Sequence, residues 1–193
     1  MVLRARPREV TTNMMPNKSE INEASYFAEE TLRNGKRIAL RAITANDKPI
    51  LQELMKHLSS QSRFFRFFTI KDTLTERDLA RFTEIDFYNH VGLLASVIEN
   101  NQTTPAGTGR YIICAGVQCA EVSFAVEEEY QGIGIGTILL KHLTAIARKN
   151  KLETFIAYVL SDNEKMLEVF RKSGLPMKQT IGEHGVVEVT LQL

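Results

Sequence analysis

Cysteine is scarce in this chain, and the two present are Cys114 and Cys119. Two are too few for a disulfide framework, and their spacing is wrong for a zinc knuckle. They flank Ala115-Gly116-Val117-Gln118, which reads as a hairpin turn with the thiols facing each other, so the chain is expected in the cytoplasm and without a metal. A long hydrophobic run is also missing: nothing approaches the roughly 18 apolar residues of a membrane span. The N-terminus, MVLRARPREVTTNMMPN, has no apolar segment and so is not a secretory signal. Arg4, Arg6 and Arg8 are followed by Glu9 without an amphipathic pattern, which argues against a transit peptide. Charge of one sign is lacking too. The 24 Lys and Arg against 23 Asp and Glu leave +1, so no whole-molecule field attracts nucleic acid or an anionic membrane.

What remains is ordinary globular material. With 193 residues and 44% hydrophobic content, the chain suits one domain with a sizeable core and a tail. Residues 1–35 are polar and aperiodic, and read as a flexible or loosely docked extension with one helical turn near Ile21–Leu32. Residues 36–193 form the domain. RIALRAI alternates as a strand. NDKPILQELMKHLSS puts Ile50, Leu51, Leu54, Met55 and Leu58 on one helical stripe, with Pro49 near its start. LTERDLARFTEI offers Thr75 and Asp78 as a capping box for a second helix. HVGLLASVIE is a strand, TTPAG a turn, and GRYIICA and AEVSFAV an antiparallel pair. Gly136–Asn150 is a helix, LETFIAYVL a strand, and NEKMLEVFRKSG a short helix between Asn163 and Gly174. Strands near 177–182 and 186–192 close the chain. The order is β-α-α-β-β-β-α-β-α-β-β, an α+β domain on a mixed sheet.

EEEYQGIGIGT (Glu127–Thr137) carries the chemistry. Glycines at 132, 134 and 136 lie between a strand and a helix, where successive N–H groups and the helix N-terminus form an anion nest. A dinucleotide fingerprint needs G-x-G-x-x-G, and here the third glycine comes one residue early. A Walker loop needs a lysine that Gly136-Thr137 lacks. A mere helix cap would need one glycine, not three. Glu127, Glu128 and Glu129 are expected to turn to solvent, or to form a negative rim for a cationic amine.

FAVEEEYQGIGIGTILLKHL resembles the Q/R-x-x-G-x-G/A signature of the GNAT acetyltransferase superfamily, with Gln131 in the first position and Gly134 and Gly136 as its glycines. SDNEKMLEVFRKSGL is similar to the family's N-x-x-A-x-x-x-Y-x-x-x-G-F segment. The resemblance runs from about Arg37 to the end of the chain. It implies a GNAT-like mixed, mostly antiparallel central sheet flanked by about four helices. It also implies acetyl-CoA as cofactor, CoA as product, and the CoA pyrophosphate on the amides of Gln131, Gly132, Ile133, Gly134, Ile135, Gly136 and Thr137. Phe124, Ala125 and Val126 would supply the strand along the thioester, with Asn163 and Phe170 beyond it.

Acetyl transfer to an amine requires a neutral nucleophile, yet a lysine amine has a pKa of about 10.4. A carboxylate with a raised pKa can take that proton directly or through water. The resemblance points to the strand before the loop, where Glu121 is the expected general base. Alternation sends Glu121, Ser123 and Ala125 to one face, and Val122, Phe124 and Val126 to the other. Backbone N–H groups around Phe124–Val126 are expected to meet the oxyanion. Relatives carry a tyrosine acid where this chain has Phe170, and an alanine where it has Met166. A thiol leaves fairly well unaided, and Tyr158 and Tyr130 are candidate substitutes.

SRFFRFF (Ser62–Phe68) and LARFTEIDF (Leu79–Phe87) read first as core. They also resemble the acceptor-side helices of bacterial GNAT proteins that acetylate lysines on proteins, notably acyl-CoA synthetases. Arg63, Arg66 and Arg81 would then rim an open groove, and the expected partner is a protein carrying the target lysine. Two alternatives stand beside this. One is a small-amine acetyltransferase, for which Glu84 and Asp86 are the only obvious acids; the other is a non-catalytic acetyl-CoA sensor.

Overall fold

The computed structural model describes residues 26–69, 71–100, 102–114 and 118–193. Eight strands form one sheet in the order β1-β2-β3-β4-β5-β6-β8-β7. They are β1 (Phe27–Thr31), β2 (Arg37–Ala42), β3 (His90–Glu99), β4 (Gln102–Ile113), β5 (Cys119–Val126), β6 (Thr154–Leu160), β7 (Met177–Ile181) and β8 (Val186–Gln192). Five helices complete the domain: α1 (Lys48–His57), α2 (Ser60–Phe67), α3 (Glu76–Thr83), α4 (Ile135–Lys149) and α5 (Glu164–Arg171). This is the GNAT-like mixed sheet expected, with one helix more than the sequence suggested.

Each sheet face carries its own core. Leu139, Leu143 and Ile146 of α4 pack with Tyr111, Val122 and Phe155 on one side. Leu51, Leu54 and Met55 of α1 and Leu79 of α3 pack with Ile43 and Leu94 on the other. The register sets this division: Tyr111 faces Val122 and Arg110 faces Ser123 across the β4–β5 ladder, so neighbours along the strand point to opposite faces. α1 starts behind Asp47, which is buried yet receives two hydrogen bonds from Arg41, at 2.6 and 2.8 Å. The Thr75–Asp78 capping box forms as read.

Three local expectations need correcting. Phe27–Thr31 is a strand, not part of a helical turn, and pairs with β2 along its whole length. Tertiary contact decides this: Glu30 holds Lys141 and His142 of α4, and the Tyr26 hydroxyl meets His142 Nδ1 at 2.5 Å. The sheet thus begins inside the segment read as an extension; residues 1–25, including the start of the proposed turn, lie outside the described residues. TTPAG is strand, and Pro105 pairs with Ser96 beside a bulge. β5 reaches β4 only from Gly107 onward, so the N–H that proline lacks has no partner there to lose. SRFFRFF lies largely in α2, capped by Ser59, whose side chain accepts from Ser62 N–H at 3.0 Å. Its phenylalanines are mostly not core: Phe64 and Phe68 are exposed and Phe65 half-buried, while Phe67, half-buried, packs against the α1–α3 core. Cys114 and Cys119 do face each other, Cys114 N–H donating to the Cys119 carbonyl at 2.9 Å, while residues 115–117 of the turn lie outside the described residues.

Candidate active site

β5 and β6 pair in parallel over three residues only, Cys119–Glu121 against Thr154–Ile156. β5 keeps its β4 ladder as far as Val126, and β6 keeps β8 as far as Leu160. Past Glu121 the two strands therefore splay, and the backbone polar groups of β5 on that side have no ladder partner. A cleft of about 1210 Å³ opens in the wedge. Every residue expected to bind the cofactor, except Ile133, lines it, and so does Glu121.

At one end of the cleft lies the glycine loop. Gly132 and Gly134 have φ of +77° and +109°, conformations that side chains rarely adopt. Gly134 is the N-cap of α4, and Ile138 N–H returns to its carbonyl at 3.0 Å. Among the described residues, no backbone or side-chain acceptor takes the N–H groups of Gly132 to Thr137. Open donors converging at the N-terminus of a 15-residue helix suit a pyrophosphate. Gln131 does not reach outward. Its amide donates to the Val126 carbonyl at 3.0 Å and accepts from Lys165 at 3.0 Å, tying the loop to β5 and α5. Asn163 caps α5 by accepting from Met166 N–H at 3.2 Å.

Of the glutamates before the loop, Glu128 and Glu129 are exposed as expected, but Glu127 is not. Glu127 is 6% exposed and sits 3.0 Å from His57 Nδ1, while Glu128 accepts from Ser59 N–H at 2.9 Å. Burial pushes the Glu127 carboxyl up, against the pull of His57, and the hydrogen bond to Glu127 raises the His57 imidazole. These acids fasten the α1–α2 junction to the loop, because Glu127 and Glu128 arrive just where that junction passes the end of β5. Glu129 is bonded to Tyr130, whose phenol this bond and burial push up to about 12.

The middle of the cleft holds Glu121. It is exposed and lies on the α1–α3 face with Ser123, opposite Ile112 of β4. Tyr158 of β6 lines the same stretch and is 45% exposed, whereas Phe170 is 1% exposed and packs edge-on against Phe124 at 6.1 Å. Burial, with Glu188 beside it, raises the Tyr158 phenol, which therefore stays protonated.

The far end opens between α2 and α3 onto Phe67, Phe82, Arg66, Arg81 and Arg110. Arg63 is absent from this rim: its guanidinium is held by the Leu58 carbonyl at 2.6 Å and by Asp72 at 3.2 Å. Glu84 and Asp86 are engaged elsewhere. Glu84 pairs with Lys48 at 2.5 Å, and Asp86 accepts from the N–H groups of Tyr88 and His90 at 3.0 Å each.

Two residues escaped the sequence reading. Arg33, in the β1–β2 loop, donates its N–H to the Ile133 carbonyl at 3.3 Å, and its side chain lies 3.6 Å from where a Gly134 Cβ would stand. No local pattern announces that. Arg110 sits mid-strand in GRYIICA and is 4% exposed; a charged residue inside an apolar strand was the available signal.

Comparison with known proteins agrees with this geometry. The family model described as acetyltransferase (GNAT) family matches residues 51–175. An acetyltransferase of Pseudomonas aeruginosa is 24% identical over 162 residues, covering 80% of this chain and 87% of that one. The crystal structure of the GNAT domain of S. lividans PAT has a TM-score of 0.78 and 33% identity, covering 86% of this chain and 97% of that chain. The fold is also that of yncA from Salmonella typhimurium, solved with acetyl-CoA, with a TM-score of 0.62 at 19% identity over 81% of this chain and 92% of that one.

Proposed function

The chain belongs to the GNAT acetyltransferase family, enzymes that draw on acetyl-CoA, and on that premise we propose that it transfers the acetyl group to a lysine side chain of a protein. The observation that carries this reading is the shape of the cleft. It runs from the glycine loop past Glu121 to an open, arginine- and phenylalanine-rimmed mouth between α2 and α3. A free polyamine or aminoglycoside would need several convergent acids in a closed pocket. Here Glu84 and Asp86 are spent on other partners, and of the acids that line the cleft Glu121 is the one on β5, with Glu128 held by Ser59 and Asp162, Glu164 and Glu168 on the α5 side. Acyl-CoA synthetases, the partners implied by the resemblance of the α2 and α3 sequences, are the ones we test first. The sparse cysteines suit a reducing compartment, and we place the reaction in the cytoplasm.

In this reading the amides of Gly132 to Thr137 hold the pyrophosphate, and Arg33 adds a cation beside them. Glu121 takes the proton of the lysine ammonium, directly or through water. The amine nitrogen then attacks the thioester carbonyl, and N–H groups of β5 around Phe124–Val126 face the developing oxyanion. As the C–N bond forms and the C–S bond breaks, the nitrogen gives up its second proton and the thiolate leaves, taking a proton from Tyr158 that the one lost by nitrogen replaces; Phe170 has none to give.

The test compares kcat/KM for an intact acyl-CoA synthetase, its lysine peptide and a panel of free amines. The intact protein should be the best acceptor, because remote contacts contribute to transition-state binding. A free amine that outperforms every protein would overturn the protein-acceptor reading.

A further inference from the structure

Arg110 is an unusual residue to find inside a sheet. It is 4% exposed, lines the cleft, and has no carboxylate within 4.0 Å among the described residues. Its Nη1 donates to the Phe82 carbonyl and to His90 Nε2, both at 3.2 Å. That nitrogen can accept because burial, with Arg110 and Arg81 beside it, pushes the His90 imidazole down to about 4 and leaves the ring neutral. Both partners orient the guanidinium without neutralising it.

Two more cations join it. The Arg110 and Arg66 guanidiniums lie 4.5 and 5.8 Å from the centre of the same Phe82 ring, and Arg66 is 5.1 Å from that of Phe67. Arg81, exposed on α3, completes the group and repels both of the others. Burial pushes Arg66 down to about 10 and Arg110 to about 9, so both remain charged at neutral pH. Glu121 is the acid that attracts Arg66. Glu127 lines a small neighbouring pocket with Arg66 and Arg110 but is held by His57, and Asp86, near His90, is taken up by the N–H groups of Tyr88 and His90, so the three guanidiniums outnumber the acids left to them. A buried cation such as Arg110 is costly unless an anion meets it, and planar guanidiniums suit a carboxylate.

We propose that Arg66, Arg81 and Arg110 form a carboxylate subsite in the acceptor groove, filled by an acidic side chain that neighbours the target lysine. The proposal rests on the protein-acceptor reading above. Register supports the distance. Arg110 lies opposite Ser123, two residues along β5 from Glu121, so the roots of the two side chains are roughly 7 Å apart on one face. An acceptor that places its amine at Glu121 and a carboxylate one side chain away spans that gap. The same carboxylate chemistry could come from a free amino acid, and the test separates the two sources.

The probes are blocked nonapeptides with a single central lysine, carrying Asp or Asn at each flanking position in turn, with release of CoA thiol as the readout. Free amino acids are run against their C-terminal amides. At the favoured position Asp should raise kcat/KM about 10-fold over Asn, mainly through KM, and salt should erode the gain. Arg81→Glu, on an exposed helix position, should bring the Asp-to-Asn ratio to one or below, with calorimetric acetyl-CoA binding as the check on folding. A preference for free amino acids over their amides, without any peptide preference, would keep the subsite and reject the protein acceptor. Asn equalling or beating Asp everywhere, with acids no better than amides, overturns the subsite. Should no probe be acetylated, glutarate is titrated into the CoA-loaded protein. A rise in Tm that Arg81→Glu abolishes supports the subsite, and no rise refutes it.

Discussion

Replacing Gly134 by aspartate separates two properties of the glycine loop, its backbone conformation and its empty space. At φ +109° any side chain is strained, at a cost of about 1–2 kcal/mol to the fold. For a domain of this size that lowers Tm by roughly 5 °C. Sterics add little, because a Cβ there meets only the Arg33 side chain, no closer than 3.6 Å. The added charge is the larger effect on binding. A carboxylate about 5 Å from one phosphate charge, at an effective dielectric of about 20, is repelled by about 3 kcal/mol, or two orders of magnitude in Kd. Gly134→Ala carries the strain without the charge, so the difference between the two variants isolates the electrostatic part. Arg33→Ala supplies the opposite control and should weaken acetyl-CoA about tenfold if its guanidinium meets a phosphate. The assay is isothermal calorimetry with acetyl-CoA, after circular dichroism has shown each variant folded. A folded aspartate variant that binds acetyl-CoA as the parent does would refute the assignment of this loop to the pyrophosphate.

Glu121→Gln keeps the shape and removes the base, so kcat should fall about 10²- to 10⁴-fold at neutral pH with acetyl-CoA affinity intact. The deficit should narrow as pH rises toward the lysine pKa; a parent-like kcat at pH 7 would move the base elsewhere. Phe170→Ala should cost about 3–4 kcal/mol in urea melts, because the ring is 1% exposed against Phe124. Phe170→Tyr should leave kcat nearly unchanged, and a large gain would mean that thiolate departure had been limiting. Asp78→Asn tests the α3 cap. Partial burial works against ionisation there, but Lys71 and the Thr75 hydroxyl and N–H hold the Asp78 carboxyl down at about 2. With the folded value depressed, its stabilisation is present above the unfolded value and lost as pH falls through the folded one. Wild type should therefore exceed the variant by about 1 kcal/mol at pH 7, and the gap should close between pH 4 and 2. A gap that holds steady at pH 2.5 would contradict the capping account.

Local chemistry was enough to reveal the loop and most of the frame. Glycines at 132 and 134 are readable because side chains rarely adopt their φ values, a constraint written one residue at a time, whereas Gly136 is helical and a Cβ there would meet Val169 at 3.4 Å. The helices of α1, α3, α4 and α5 are readable for a similar reason, since caps and apolar stripes are set by neighbours within a few residues. TTPAG misled because proline and glycine usually mark turns, whereas here the absent β5 partner makes proline harmless in a strand. The phenylalanines of α2 misled because hydrophobicity alone cannot distinguish a core from the wall of a cleft. Tertiary structure alone decided the rest. Arg33 reaches the loop across more than ninety residues of chain, Glu127 finds His57 across seventy, and arginines from α2 and β4 meet over one ring, with Arg81 of α3 close enough to repel both. The splay between β5 and β6 depends on where a parallel ladder stops. Such features are set by distances between segments that share no sequence neighbourhood, so no local preference records them until the sheet has brought those segments together.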